Sequence, residues 1–146
     1  MSNTQTIKTA IGTRLQALVT AGTIRGFAST DLRKDPLMGD IPNTPYAYIM
    51  PPSTESVAVD NRTLLRTYRF DIMVVVKGEN VVNDHQIEDL IEAMLNEFDN
   101  KPTLLGAADG AVEPASTTPE PLQHKNGDML VFFITLKVNR TETLTY

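Results

Sequence analysis

Two histidines, eighteen carboxylate side chains and no cysteine bound the chemistry open to this chain. Without cysteine there is no disulfide, no thiolate nucleophile and no Cys-ligated metal site. His85 and Asp89 stand four residues apart, a spacing that puts both on one face of a helix. A metal held there needs at least one further ligand and a dry pocket. His124 precedes a turn and has no such neighbour. The chain contains no G-x-S-x-G, no H-E-x-x-H and no P-loop. Residues 106–110, Gly-Ala-Ala-Asp-Gly, are glycine-containing but lead into no helix with basic phosphate ligands, so they read as a turn. Neither catalysis, nor a cofactor, nor a bound metal is expected. The alternative is a small ligand-binding or catalytic domain, which requires an apolar pocket where His85, Asp89 and an arginine converge.

The carboxylates form a more telling pattern. Asp84, Glu88, Asp89, Glu92, Glu97 and Asp99 fall in one stretch with no basic residue between Asn83 and Asn100. A solvated helix face offers these carboxylates no general-acid role. Glu88, Glu92 and Asp99 share a flank, and Glu88–Glu92 is a like-charge i, i+4 pair costing roughly a few tenths of a kcal/mol. A cationic partner relieves that cost. Arg62, Arg66 and Arg69 are the one dense basic cluster in the sequence. Within one subunit their pairing with Glu88 and Glu92 is intramolecular. Between copies it is a heterologous contact, the kind that closes into rings.

Net charge follows the same division. Residues 1–77 hold nine Lys/Arg and six Asp/Glu, and residues 78–146 hold four and twelve, for an overall charge of −5. A net acidic chain is a poor candidate for phosphate-driven nucleic-acid binding. A basic part that meets the acidic part of a neighbouring copy fits this asymmetry, as does an N-terminal half folded against its own acidic half.

These residues must be positioned by a small set of elements. Ile7, Ile11, Leu15 and Leu18 make one helical stripe over residues 4–21, with Thr4 as N-cap and Gly22 at C′. Residues 24–28 read as a short strand, and 29–43 as a polar, turn-rich stretch broken by Pro36, Gly39 and Pro42. Residues 45–50 form an aromatic strand flanked by Pro45 and Pro51-Pro52, at a sheet edge or frayed at its ends. Residues 52–64 are polar and long for a connector, a protruding hairpin or a mobile arm. The clearest strand covers 66–77, with Tyr68, Phe70, Ile72, Val74 and Val76 on its apolar face. The second helix covers 83–99 through Ile87, Leu90, Ile91, Met94, Leu95 and Phe98, opened by an Asn83–Gln86 capping-box pattern. Short strands at 111–114 and 120–124 precede a long closing strand over 129–140, in which Leu130, Phe132, Ile134, Leu136 and Val138 share a face. Residues 141–146 read as an exposed, flexible tail.

The order α-β-β-β-α-β-β implies an α+β fold, a mainly antiparallel sheet with two helices packed on one face. Its 146 residues make one domain, burying about two thirds of the unfolded surface. No apolar run is long enough to span a membrane, and the N-terminus lacks a basic segment followed by an apolar one.

Over nearly its whole length the chain resembles the tail terminators of long, non-contractile phage tails. The resemblance rests on the amphipathic first helix, the Pro45-Tyr46-Ala47-Tyr48-Ile49 strand and the strand starting Tyr68-Arg69-Phe70-Asp71. The helix opening Asn83-Asp84-His85-Gln86-Ile87 and the closing strand complete it. It implies a homohexameric ring that caps the tail tube, stops its polymerisation and meets the head connector or stopper protein. DNA passes through the lumen without specific binding. Such a protein has no catalytic residue or cofactor. It belongs to the virion at the tail–neck junction and assembles in the bacterial cytoplasm. Stopper-like and tail-completion proteins share this fold class and are the nearest alternative.

Overall fold

The computed structural model describes residues 3–30, 43–77, 84–99, 112–124 and 127–143. They form two helices and seven strands. The first part of the chain gives α1 (Asn3–Thr20), β1 (Gly26–Ser29), β2 (Tyr46–Ile49), β3 (Ser53–Ala58) and β4 (Thr63–Lys77). The second gives α2 (Asp84–Asp99), β5 (Glu113–Ser116), β6 (Glu120–His124) and β7 (Gly127–Thr143). The expected order is kept, with β3 added inside the 52–64 segment and both short strands after α2 formed. Asn83, the residue expected to open the capping box, and the turn expected at 106–110 lie outside the described residues.

Two strands dominate. β4 has 15 residues and β7 has 17, and they pair antiparallel from Thr63↔Thr143 to Lys77↔Met129. At about 3.4 Å per residue β4 is about 50 Å long. Every other strand except β1 attaches to one of these two. β2 and β3 pair antiparallel with β4, β5 and β6 pair antiparallel with β7, and β1 pairs parallel with β2. The sheet is thus mostly antiparallel, with one parallel pair at its margin.

β2 and β3 run along the same edge of β4 as a broken strand. Ile49 opposes Ile72 while Ser53 opposes Arg69, so residues 50–52 face only 70 and 71. Met50 N–H donates to the Asp71 carbonyl at 2.9 Å, leaving Pro51 and Pro52 together opposite Phe70. This is a β-bulge, made of two residues that have no N–H to offer.

Both helices pack on one sheet face. The period-two alternation of β4 and β7 puts Tyr68, Phe70, Ile72, Val74, Val76, Phe132, Ile134, Leu136 and Val138 on that face, all buried. Ile7, Ile11, Leu15 and Leu18 of α1 and Ile87, Leu90, Met94 and Phe98 of α2 close over them. α1 ends in a Schellman motif: Thr23 N–H donates to the Leu18 carbonyl and Gly22 N–H to that of Val19, with Gly22 at φ 80°. Arg14 Nη1 bridges to Glu97 Oε1 at 3.3 Å and ties the two helices together. The opposite face holds a smaller cluster of Tyr48, Met73, Val75 and Met129, with Tyr46, Val131 and Phe133 packed against it.

Element ends differ from the sequence reading in instructive ways. α1 includes Asn3, so Thr4 lies inside the helix and not at its cap. β1 starts at Gly26, and Ile24 is buried ahead of it. A Cβ at position 26 would stand 2.7 Å from the Tyr46 ring, so a larger residue there requires the ring to move. Thr141 to Thr143, expected in a tail, belong to β7 because Leu65, Leu64 and Thr63 are there to pair with them.

Candidate interaction surface

The ends of β4 and β7 continue past the helix-covered core. Residues 63–67 of β4 are flanked by β3 on one side and by residues 139–143 of β7 on the other. This three-stranded arm contributes no side chain to either hydrophobic cluster until Tyr68 and Val138 at its root. All six residues of β3 are exposed. The arm is held by backbone ladders and cross-strand pairs instead of by burial. Thr67 Oγ1 donates to Asn139 Oδ1 (2.9 Å) on one face. On the other face Arg66 Nη1 lies 2.8 Å from Glu142 Oε2, Arg66 Nε donates to Ser56 Oγ (3.1 Å) and Tyr68 Oη donates to Glu142 Oε1 (3.2 Å).

The turn at its tip is set by Asp60. Its Oδ1 accepts the N–H groups of Arg62 and Thr63, both at 2.8 Å, and Val59 N–H donates to the Thr63 carbonyl at 2.9 Å. This is an Asx-type turn. Those hydrogen bonds, that from Arg62 foremost, hold the Asp60 carboxyl below its ordinary pKa. Val57 and Val59 on this hairpin are the exposed large hydrophobic residues of the described chain, each 63% exposed.

The arginine cluster does not act as one patch. Arg66 faces the helix side of the sheet and is paired with Glu142 in its own chain. Arg69, an odd position on the same strand, faces the other side and is exposed. Arg62 sits exposed in the tip turn. On α2, Glu88 and Glu92 are both exposed, while Glu97 is taken up by Arg14. Neither Glu88 nor Glu92 is bridged to an arginine within the chain among the described residues.

His85 does not join Asp89. Its Nδ1 lies 3.5 Å from Glu88 Oε2, and both side chains are well exposed. No group of three or more His, Asp or Glu residues among the described ones could hold a metal ion. A groove of about 250 Å³ beside Asp89 is lined by Thr23, Pro45, Val76, Gln86, Ile87 and Leu90, without His85 and without an arginine. A wider one of about 450 Å³ lies on the second sheet face, between Met73, Val131, Phe133 and the 117–122 segment. Neither gathers the groups that a His85-centred site requires.

Sequence reasoning missed the arm as a three-stranded unit and missed Glu142 as the partner of Arg66. Leu64-Leu65 and Arg66-Thr67 put like residues on both faces, so the strand start at Thr63 has no alternation to announce it. Asp60-Asn61 between two β-branched stretches carries the signal for its turn.

No protein-family model matches the chain, and no curated protein matches it. Among solved structures the chain is similar to a chain of "Virion of native gene transfer agent (GTA) particle". The TM-score is 0.48 and the identity 15%, over 87% of this chain and 88% of that chain.

Proposed function

We propose that the chain is a structural virion protein that closes into a hexameric ring on the end of a phage tail tube. There it halts polymerisation and presents a surface to the head connector or stopper protein. The observation that carries this reading is the bare arm of β3, β4 and β7. A strand pair about 50 Å long is built with a third of its length, residues 63–67 against 139–143, outside any core. The excess length gives the chain reach beyond its core. The element order and the resemblance of the tail-terminator family support the same reading.

The mechanism is geometric. One face of the ring copies the surface that a tube subunit offers, so it docks. The other face does not, so no further ring adds. DNA crosses the lumen without being gripped, in keeping with a net charge of −5. In this proposal the basic arm of one copy reaches the acidic face of α2 on the next. Arg62 and Arg69 approach Glu88 and Glu92, and Arg66, already bridged to Glu142, keeps the arm straight. Assembly takes place in the bacterial cytoplasm, and the finished protein sits at the tail–neck junction.

Electron microscopy of the purified protein, alone and mixed with tail tubes, tests the reading. Rings with a central hole, or caps on tube ends, are expected. Binding to connectors with no binding to tube ends would replace a terminator with a stopper-like protein. Arg69→Glu is expected to block ring closure and Glu88→Arg, added to it, to restore closure. A double variant that assembles no better than either single one removes the proposed pairing.

A further inference from the structure

The margins of this sheet are treated differently on its two sides. On the β7 side, β5 and β6 each carry one proline, Pro114 and Pro121. Thr117 N–H donates to the Phe133 carbonyl, so odd positions of β5 and its extension point their N–H at β7 and Pro114 points outward. The Phe133 carbonyl also shows that odd positions of β7 face this edge, so in β6 Pro121, opposite Leu130, again takes an outward position. Both strands therefore lack a donor in the middle of their free edge, which blunts strand addition.

β3 has no such protection. Val59 N–H donates to Thr63, and the register continues through Val57↔Leu65 and Glu55↔Thr67, so these residues turn their N–H toward β4. Thr54, Ser56 and Ala58 turn theirs outward. None is a proline, Glu55 is the one charge in the strand, and all six residues are exposed. Among the described residues β3 pairs with β4 alone.

We infer that β3 is a docking edge for a second copy of this chain, joined antiparallel to the same strand of that copy about a two-fold axis at Ser56. In that register Thr54 exchanges backbone hydrogen bonds with Ala58 of the second copy, and Ser56 with Ser56 of the second copy. Every outward group meets an outward group. Glu55 lies opposite Val57 of the second copy and not opposite another carboxylate. The arm also suits close approach of two copies. Arg62, Arg66, Arg69 and Arg140 stand against Glu55, Asp60 and Glu142, a net of only +1, while the acidic excess lies on the body. The contact is isologous and closes at two copies, so it goes beyond the ring reading and does not depend on it.

The test is light scattering and sedimentation of the full chain with prolines placed by register. Wild type is expected as a dimer, or as paired rings where the ring has closed. Thr54→Pro and Ala58→Pro each remove an outward N–H twice per dimer and are expected to raise the dimer Kd by about 100-fold with unchanged thermal unfolding. Ala58→Val keeps the N–H and is expected to keep the dimer. Ser56→Cys in this cysteine-free chain is expected to oxidise to a covalent dimer, since hydrogen-bonded antiparallel partners stand about 5.5 Å apart at Cα. A wild-type monomer at all concentrations, a dimer that survives both proline variants, or rings indifferent to them overturns the inference. Loss of tube docking with an intact, proline-sensitive dimer strikes the proposed function alone.

Discussion

β4 is one strand with two different supports. From Tyr68 onward its even side chains lie under two helices and are wholly buried, and Met73 and Val75 are buried on the other face as well. From Thr63 to Thr67 every residue is half-buried and stands among strands only. The same backbone thus passes from a region held by the hydrophobic effect to one held by ladders and side-chain pairs. The lesson is that pairing on both sides can carry a strand well past its core, at the cost of making that part locally, not globally, stable.

The comparison breaks most readily at the core. Phe132→Ala, which empties a fully buried site between the helices and the sheet, is expected to cost about 3–5 kcal/mol in denaturant unfolding. Val57→Ala, in the arm, is expected to leave the midpoint unchanged. A smaller effect is expected between the helices. Glu97→Gln leaves the Arg14 charge, 14% exposed, without its partner and is expected to cost about 1–2 kcal/mol by the same measurement. Smaller again, Glu142→Gln removes the Arg66 bridge and weakens the Tyr68 contact on a partly exposed face. The expected loss is about 0.5–1 kcal/mol, seen in faster amide exchange of residues 64–68 before any global shift.

The smallest effect is at the tip and depends on pH. Asp60 is held below its ordinary pKa by the Arg62 and Thr63 N–H groups, so its contribution to the turn is complete above the ordinary aspartate value. It is lost as pH falls through the lowered value. The amide shifts of Arg62 and Thr63 should follow a midpoint below that of an unperturbed aspartate. A midpoint at the ordinary value would mean that the turn does not depend on this carboxylate.

The core was readable because its signals are periodic. The stripe Ile7, Ile11, Leu15, Leu18 and the alternation Tyr68 to Val76 each name a face, and each named side chain is buried. The arm was less readable because its residues alternate between polar and polar. Ser53, Glu55, Thr67 and Asn139 carry no hydrophobic contrast, so pairing partners decide their structure and pairing is non-local. Thr141 to Thr143 are a case in point: nothing in Thr-Glu-Thr asks for a strand until Thr63 to Leu65 stand beside it. The Arg62, Arg66 and Arg69 cluster looked like one patch in the linear sequence. Strand period two sends Arg66 and Arg69 to opposite faces, and Glu142, which claims Arg66, is distant in sequence.

Pro51 and Pro52 carry one more consequence. They interrupt the edge between β2 and β3 at the one point where it would otherwise run on, and beyond them β1 already occupies β2. A foreign strand zipping along the arm from its tip therefore meets a stop after about 20 Å. The molecule can lend out a short adhesive length without seeding an endless ribbon.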